Sequence, residues 1–374
     1  STRVRSSAAS DVYKRQAYQA RQLGLLFNAV AGVLMAVFLF SGAGAILRMV
    51  GIADALYEPA LIYLKIVGGG CILNAVIPIF SSYLRAFGYT KQPLYATIVG
   101  NIANFVMNAV FLFVLHKGVA GVATATVISK ILNLCIVLYF SHKLISAKNS
   151  TERIANKTVL GQIVKVGLPS ACETALYNVA MMLVIRFLNQ MDAEGLNVTA
   201  RSYTATISNF SYCVGAALAQ ANAIMTGWHI GAGELEECDR GTKRAAFVGV
   251  CVAVCMETAI VLGSGFIMPL FTDNPEMTAL VRKLLAIDIV LEIGRVTNLV
   301  FGQALKTSGD AVFPAVIAAV FMFVFAVGGT WLFGISMGLM AVGAYIGLAS
   351  DECVRAVGMV WRWKTGKWRT KKLV

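Results

Sequence analysis

Residues 24–47, GLLFNAVAGVLMAVFLFSGAGAIL, decide the fold of this chain, because they contain no charged side chain. A helix that crosses the hydrocarbon core of a bilayer needs about 20 mostly apolar residues. A helix also satisfies its own backbone hydrogen bonds, which lipid cannot do for it. The stretch therefore predicts a transmembrane helix.

Nine further stretches of this kind follow, each separated from the next by glycine, proline or charged residues. They are 59–84, 94–115, 119–141, 161–188, 203–228, 245–271, 279–305, 312–334 and 338–361. Hydrophobic residues make up 58% of the chain and charged residues 14%, whereas soluble domains are about 45–50% apolar and about 25% charged. The sequence predicts an all-α polytopic membrane protein with about ten transmembrane helices.

The net charge of +13 lies mainly in segments between the apolar stretches. If the helices alternate, the basic segments 142–165 and 362–372 fall on one side of the membrane, and acidic pairs such as Asp192 with Glu194 fall on the other. Cytoplasmic loops carry the excess of Lys and Arg. We therefore predict a multi-pass protein of a prokaryotic plasma or inner membrane with a cytoplasmic C-terminus, contacting membrane lipid and no nucleic acid.

The chain contains an internal repeat. Residues 84–88, LRAFG, match 305–309, LKTSG, and residues 118–122, GVAGV, match 338–342, GLMAV. The matched helices have the same topology, which predicts two parallel lobes. Since the second copy has two extra helices before its matched four, we expect two lobes of six helices each, with the first two helices of lobe 1 missing from this chain.

The repeat and the composition divide the sequence into five regions. Residues 1–16 are polar and patternless, and we interpret them as a non-native or disordered tail. The remaining regions are an N-lobe at 17–146, a cytoplasmic linker at 147–160, a C-lobe at 161–363 and a basic cytoplasmic tail at 364–374.

Several motifs resemble the multidrug and toxic compound extrusion (MATE) family, in order along residues 17 to about 368. They are 84–93 LRAFGYTKQP, 118–126 GVAGVATAT, 167–169 GLP, 226–233 TGWHIGAG and 305–310 LKTSGD. The resemblance implies a secondary antiporter that exports cationic or amphipathic compounds by alternating access, driven by inward H⁺ or Na⁺. It also implies that the family's acidic residue on the first helix lies outside this chain.

Ionisable side chains inside a membrane are costly, by about 2.5–3.5 kcal/mol each on insertion scales, so they are candidates for function. The second lobe holds Glu173, Glu257, Asp288, Glu292, Arg295 and Asp351 inside its predicted helices. We predict that Glu173, Asp288, Glu292 and Asp351 line a cavity. A carboxylate there can bind H⁺ or Na⁺ and attract an organic cation, and proton uptake weakens the hold on that cation.

Structural interpretations of the same residues remain open. Glu292 with Arg295, and Glu352 with Arg355, can be neutralised pairs that brace their helices, whereas Glu257 has no obvious partner. In the first lobe the matching helices carry amides and hydroxyls instead of acids. Among these, Asn104 and Thr126 are either polar wall residues of a site or members of ordinary interhelical hydrogen bonds.

Two other functions compete with antiport. A flippase for a lipid-linked precursor, from the wider superfamily, requires a strongly cationic cavity, and the charge inside these helices is mainly acidic. A membrane-embedded enzyme requires a nucleophile and base or a metal site, and the sequence has no histidine inside a predicted helix and no cofactor motif. We therefore predict a monomeric transporter without catalytic residues, bound metal or cofactor.

Overall fold

The computed structural model describes residues 2–50, 54–145, 156–192 and 195–370, and every long element in these ranges is a helix. The helices are α1 Thr2–Val50, α2 Asp54–Gly69, α3 Cys71–Ala86, α4 Lys91–Ala109, α5 Gly118–Leu144, α6 Asn156–Met191, α7 Leu196–Ala232, α8 Leu235–Ile267, α9 Pro275–Thr307, α10 Val312–Phe321 and α11 Met340–Lys364. The predicted all-α class is confirmed.

Within the described residues, seven helical segments are long and apolar enough to cross a membrane. Three of the ten predicted spans, at 203–228, 279–305 and 338–361, are not among them. They correspond to α7, α9 and α11, helices of 37, 33 and 25 residues that are long enough to span. Polar and charged side chains lower their hydropathy, and these helices carry most of the site described below.

The predicted span 59–84 is divided into α2 and α3 at Gly70. A Cβ on Gly68 would lie 2.8 Å from Leu39 Cβ, and one on Gly70 would lie 3.0 Å from Val127 Cγ2. The glycines therefore allow this part of the chain to pack closely against α1 and α5. Side chains larger than hydrogen would push these helices apart.

The two copies of the repeat have the same backbone conformation where α3 and α9 end. Gly88 has φ +86° and Gly309 has φ +90°, a region that favours glycine. The N–H of Tyr89 donates to Leu84 O at 2.9 Å, and the N–H of Asp310 donates to Leu305 O at 2.8 Å. The repeated sequence thus encodes a repeated helix end.

The contacts divide the chain into two compact units. The N-terminal unit is Asp11–Ile163, and the C-terminal unit is Val164–Val374 together with Ser1–Ser10. In the N-terminal unit α5 packs against α2, α3 and α4, and in the C-terminal unit α9 packs against α7, α8 and α11.

Two predicted boundaries are not decided by this division. Most of the predicted linker 147–160 lies outside the described residues, which omit 146–155. The stretch 2–16 is helical and forms the first part of α1. Its helical backbone does not distinguish a native from a non-native segment, so that interpretation stays a prediction.

The centre of the C-terminal unit depends on glycines that face α9. A Cβ on Gly215 of α7 would lie 2.7 Å from a methyl carbon of Val296, and one on Gly249 of α8 would lie 2.8 Å from its other methyl carbon. A Cβ on Gly294 would lie 2.7 Å from the backbone of Glu352 and Cys353 in α11. These close approaches bring side chains of four helices within reach of one another.

The start of α7 is fixed by Asp192, just beyond the apolar part of α6. Its carboxylate accepts hydrogen bonds from the N–H groups of Leu196 and Asn197, both at 2.9 Å, and from the Asn197 side chain. Desolvation acts to raise the pKa of Asp192, but these hydrogen bonds outweigh it and hold the pKa below its usual range. Asn197 also accepts from the N–H of Ala341 at 3.1 Å, which ties α7 to α11.

Candidate functional site

The C-terminal unit contains a cavity of about 580 Å³, lined by residues of α6, α7, α9, α10 and α11 and the segment after α10. Four acidic and four basic side chains line it, so their formal charges cancel. They are Glu173, Asp288, Asp351, Glu352, Arg201, Arg295, Lys306 and Arg355. Among the predicted site residues, Glu173, Asp288, Arg295 and Asp351 lie on this wall, and Glu257 and Glu292 lie behind it.

Most acids on the wall are in ion pairs. Glu173 of α6 contacts Lys306 of α9, with 2.8 Å between Oε2 and Nζ. Arg355 contacts Asp351 and Glu352, each at 2.7 Å. The bracing interpretation therefore describes the Arg355 group well. Lys306 was not predicted, although it belongs to the repeated LKTSG motif, because nothing in its own helix indicates a partner on α6.

Arg295 connects the wall to the interior of the unit. Its guanidinium is paired with the buried carboxylate of Glu292 one turn earlier on α9. Its Nε also lies 4.0 Å from Glu352 Oε1 on α11. The predicted Glu292–Arg295 pair is therefore present, and Arg295 is shared with a second carboxylate that lines the cavity.

Asp288 of α9 on the wall, together with Glu292 of α9 and Glu257 of α8 behind it, forms a group that we call the three-carboxylate cluster. One oxygen from each lies within 4.8 Å of the others, and all three side chains are buried. Among the described residues, no hydrogen-bond partner is found for either oxygen of Glu257, for Asp288 Oδ2 or for Glu292 Oε2. Glu257 sits on another helix, so no sequence spacing could have indicated this grouping.

Two serines of α7 complete the surroundings of the cluster. Ser211 faces Glu257 and Ser208 faces Asp288. Both are buried, and neither Oγ makes a hydrogen bond of regular geometry in the described part of the chain. The cluster and its serines thus form a buried, all-oxygen set of ligand atoms from three helices.

Three carboxylates so close together cannot all remain charged without a counter-ion, because like charges repel strongly in a medium of low dielectric. Arg295 supplies one positive charge. Protons or a hard cation can supply the rest, since oxygen ligands suit such ions. Oxygens no more than 4.8 Å apart can share one ion at the distances of about 2.3–2.6 Å that Ca²⁺-sized ions adopt.

The predicted polar residues of the first lobe have a different setting. Asn104 of α4 donates to Ser129 Oγ of α5 at 3.3 Å and accepts from Asn108 at 3.1 Å. Thr126 donates to the carbonyl of Val122 in its own helix at 2.9 Å. Both residues belong to the N-terminal unit and are no part of the cavity described above. Asn104 makes the interhelical hydrogen bond that was the alternative to a site role.

Comparisons with known proteins agree on one family. The family model MatE matches residues 12–110 and 169–332. The uncharacterized transporter YisQ of Bacillus subtilis (strain 168) is 31% identical over 364 residues, which are 96% of this chain and 80% of that protein.

Solved structures give the same fold. The outward-facing conformation of a multidrug resistance MATE family transporter of the MOP superfamily superposes with a TM-score of 0.85 at 18% identity, covering 98% of this chain and 84% of the other. A crystal structure of MATE in complex with MaD3S gives 0.83 at 19% identity, covering 98% and 86%. At these identities the likeness concerns the fold alone.

Proposed function

Because this chain belongs to the MatE family of transporters, we propose that it is a secondary antiporter that exports cationic or amphipathic compounds in exchange for H⁺ or Na⁺. The chain is a multi-pass membrane transporter and not an enzyme. Antiport, the substrate class, the prokaryotic cell membrane, the cytoplasmic C-terminus and the monomeric state are parts of this proposal.

The observation that carries the proposal is the position of Asp288. This residue lines the cavity and also belongs to the three-carboxylate cluster. A coupling ion in the cluster neutralises Asp288 and removes its attraction for a cation in the cavity. An organic cation held at Asp288 in turn makes binding of the coupling ion less favourable. This mutual exclusion is the thermodynamic requirement for exchanging one cation for another.

The apolar part of the wall supports an amphipathic substrate. Tyr177, Tyr212, Met181, Met322 and Leu348 are among the lining residues. Aromatic rings can hold an organic cation through their faces, and methionine adapts to ligands of different shape. A volume of about 580 Å³ falls within the ordinary range of small-molecule sites, about 300–1,000 Å³.

The flippase remains the second candidate. A cavity for a pyrophosphate-linked lipid requires an excess of positive charge, and the wall carries equal numbers of acidic and basic groups. This balance favours antiport over the flippase. The same balance gives less support to a purely cationic substrate than the acidic residues of the sequence did, because most of those acids have basic partners on the wall.

Dye uptake by proteoliposomes tests the proposal. Ethidium transport by the purified protein would be measured after imposing a pH or Na⁺ gradient, for the natural sequence and for Asp288→Asn and Glu257→Gln. We expect one of the two gradients, that of the coupling ion, to drive ethidium movement. Each of the two substitutions should reduce this movement at least about tenfold. Glu276→Gln, an exposed change in the first turn of α9, is the matched control and should transport normally.

Two results of the same assay would contradict the proposal. Transport that ignores both gradients would exclude antiport. Transport that is unchanged in Asp288→Asn and Glu257→Gln, with both variants folded by size-exclusion chromatography, would exclude the cluster as the coupling site.

A further inference from the structure

The eight charged side chains on the cavity wall are not equivalent. Glu173 is paired with Lys306, Arg355 with Asp351 and Glu352, and Arg295 with Glu292 and Glu352. Two charged groups remain outside these pairs, the carboxylate of Asp288 and the guanidinium of Arg201. Among the described residues of the wall, the acid of the buried three-carboxylate cluster and one arginine are thus the charged groups with no ion-pair partner across the cavity.

Arg201 stands in the second turn of α7, facing α6. Its Nη2 lies 3.7 Å from the sulfur of Met181, and no carboxylate within the described ranges lies at ion-pair distance. Tyr345 of α11 is within electrostatic range of both Arg201 and Asp288 and also lines the cavity. Arg201, Asp288 and Tyr345 therefore line one and the same cavity.

Arginine has a specific chemistry for such a position. Its guanidinium is always charged and presents five N–H donors in a planar fork that matches a carboxylate or phosphate in two-pronged geometry. A charge in a membrane-embedded cavity is costly when it has no partner. A substrate that brings its own anionic group satisfies the guanidinium, whereas a substrate with only a positive charge is repelled by it.

We propose that Arg201 binds the anionic group of the transported compound while Asp288 attracts its cationic group, so that the preferred substrates are zwitterionic amphiphiles. This inference rests on the proposed export function and narrows its substrate class. Arg201 determines specificity and takes no part in binding the coupling ion. A structural role for Arg201, with its side chain reaching toward water near the start of α7, would give no preference between zwitterions and cations.

A pair of dyes isolates the anionic group. Rhodamine 110 carries a free carboxylate and is zwitterionic near neutral pH, and rhodamine 123 is its methyl ester and is only cationic. Binding of each dye to the purified natural protein would be followed by fluorescence anisotropy. We expect rhodamine 110 to bind about tenfold more tightly, the effect of one charge-assisted hydrogen-bonded contact. Equal binding, or tighter binding of the ester, overturns the inference without requiring any variant.

Variants then assign the preference to Arg201. In proteoliposomes, Arg201→Gln should lower rhodamine 110 transport about tenfold, mainly through a higher KM, and change rhodamine 123 transport less than about twofold. Arg201→Lys should retain part of the preference because it keeps the charge without the fork. Arg282→Gln, which removes an exposed arginine of α9, should behave as the natural protein.

The outcomes separate this inference from the proposed function. If the natural protein transports rhodamine 123 and ethidium but discriminates against rhodamine 110, the inference fails and antiport stands. An equal loss of both dyes in Arg201→Gln, with the protein folded, also overturns it. If no dye moves under any gradient, the proposed function fails, and the inference falls with it.

Discussion

The two units are built on the same repeated helix end, yet they differ in the charges inside their helices. The helices of the N-terminal unit carry isolated lysines such as Lys65 and Lys130, whereas those of the C-terminal unit carry groups of acidic and basic side chains that pair with one another. An offset of 221 places Asp288, Glu292 and Arg295 of α9 opposite Val67, Cys71 and Asn74. An offset of 220 places Asp351, Glu352 and Arg355 of α11 opposite Ile131, Leu132 and Cys135. The two units share the backbone conformation at the repeated glycines, but the matched positions carry charged side chains in the C-terminal unit and uncharged ones in the N-terminal unit.

This difference shows which part of the sequence encodes the scaffold and which part encodes the site. The apolar stretches and the turn glycines suffice to form the helices, because the N-terminal unit forms them without buried ion pairs on the matched positions. The charges of α9 and α11 are therefore not needed for this architecture. Groups that are costly in a membrane and unnecessary for the fold are the ones that we expect to serve transport.

The largest effect is expected when the buried cation of α11 is removed. Arg355→Met leaves the buried carboxylate of Asp351 without its counter-ion and removes from Glu352 the nearer of its two arginine partners. Removing one partner of a buried pair typically costs about 3–5 kcal/mol. We expect a large loss of thermal stability of the purified protein in detergent, measured by the temperature at which its size-exclusion peak disappears.

Two controls determine whether the charges act as a group. Cys135→Met, at the matched and exposed position of α5, should leave the stability of the protein nearly unchanged. The triple change Asp351→Asn, Glu352→Gln, Arg355→Met removes the group together and should recover most of the stability while transport stays low. If the triple variant is as unstable as Arg355→Met, lost packing and not the unpaired charges explains the effect.

Much of the fold was predictable from the sequence, and less of the site was. Runs of apolar residues, the repeat and the turn glycines are local signals, and they gave the helices of both units. The pairs within α9 and α11 were also predictable, since spacings of three and four place side chains on one face of a helix. Of the four acids expected to line a cavity, Glu173, Asp288 and Asp351 lie on one wall and Glu292 lies behind it. The roles of all four stay predictions.

What sequence spacing could not indicate are contacts between different helices. The Glu173–Lys306 pair joins α6 to α9, and the three-carboxylate cluster joins α8 to α9. Both depend on how closely the helix backbones approach, which glycines such as Gly249 control through contacts with another helix. The break at Gly70 was missed for a related reason, because α2 and α3 are both apolar and no change of composition marks their boundary.

A smaller effect is expected from inserting a methyl group where α9 and α11 lie closest together. Gly294→Ala places a Cβ 2.7 Å from backbone atoms of Glu352 and Cys353, which cannot rotate away. Overpacking of this kind costs about 1–3 kcal/mol. The position of the N-terminal unit that matches Gly294 is Leu73. Because leucine is too large for such a close approach, the contact belongs to the C-terminal unit and has no counterpart at this position of the N-terminal unit. We expect a lower melting temperature together with weaker transport, because Arg295 moves relative to Glu352.

A second glycine of α9 provides the control for this change. A Cβ on Gly302 would meet nothing closer than 3.9 Å, at Asn298 Oδ1. Gly302→Ala therefore should not destabilise the protein and can stabilise it by up to about 1 kcal/mol, since alanine favours the helix. Equal melting temperatures for the two variants would show that the α9–α11 contact tolerates a methyl group and does not limit the geometry of the site.

The smallest effect is expected in the N-terminal unit. Asn104→Leu removes two hydrogen bonds. One joins Asn104 of α4 to Ser129 of α5, and the other joins it to Asn108 within α4. Hydrogen bonds between membrane helices average about 0.6 kcal/mol and reach about 1.7, so the melting temperature should fall slightly and gradient-driven ethidium transport should remain. A loss of transport at unchanged stability would instead show that the N-terminal unit binds the ion or the substrate through its amides. In that case both units would take part in function, and the contrast between them would lie in the type of ligand atom that each provides.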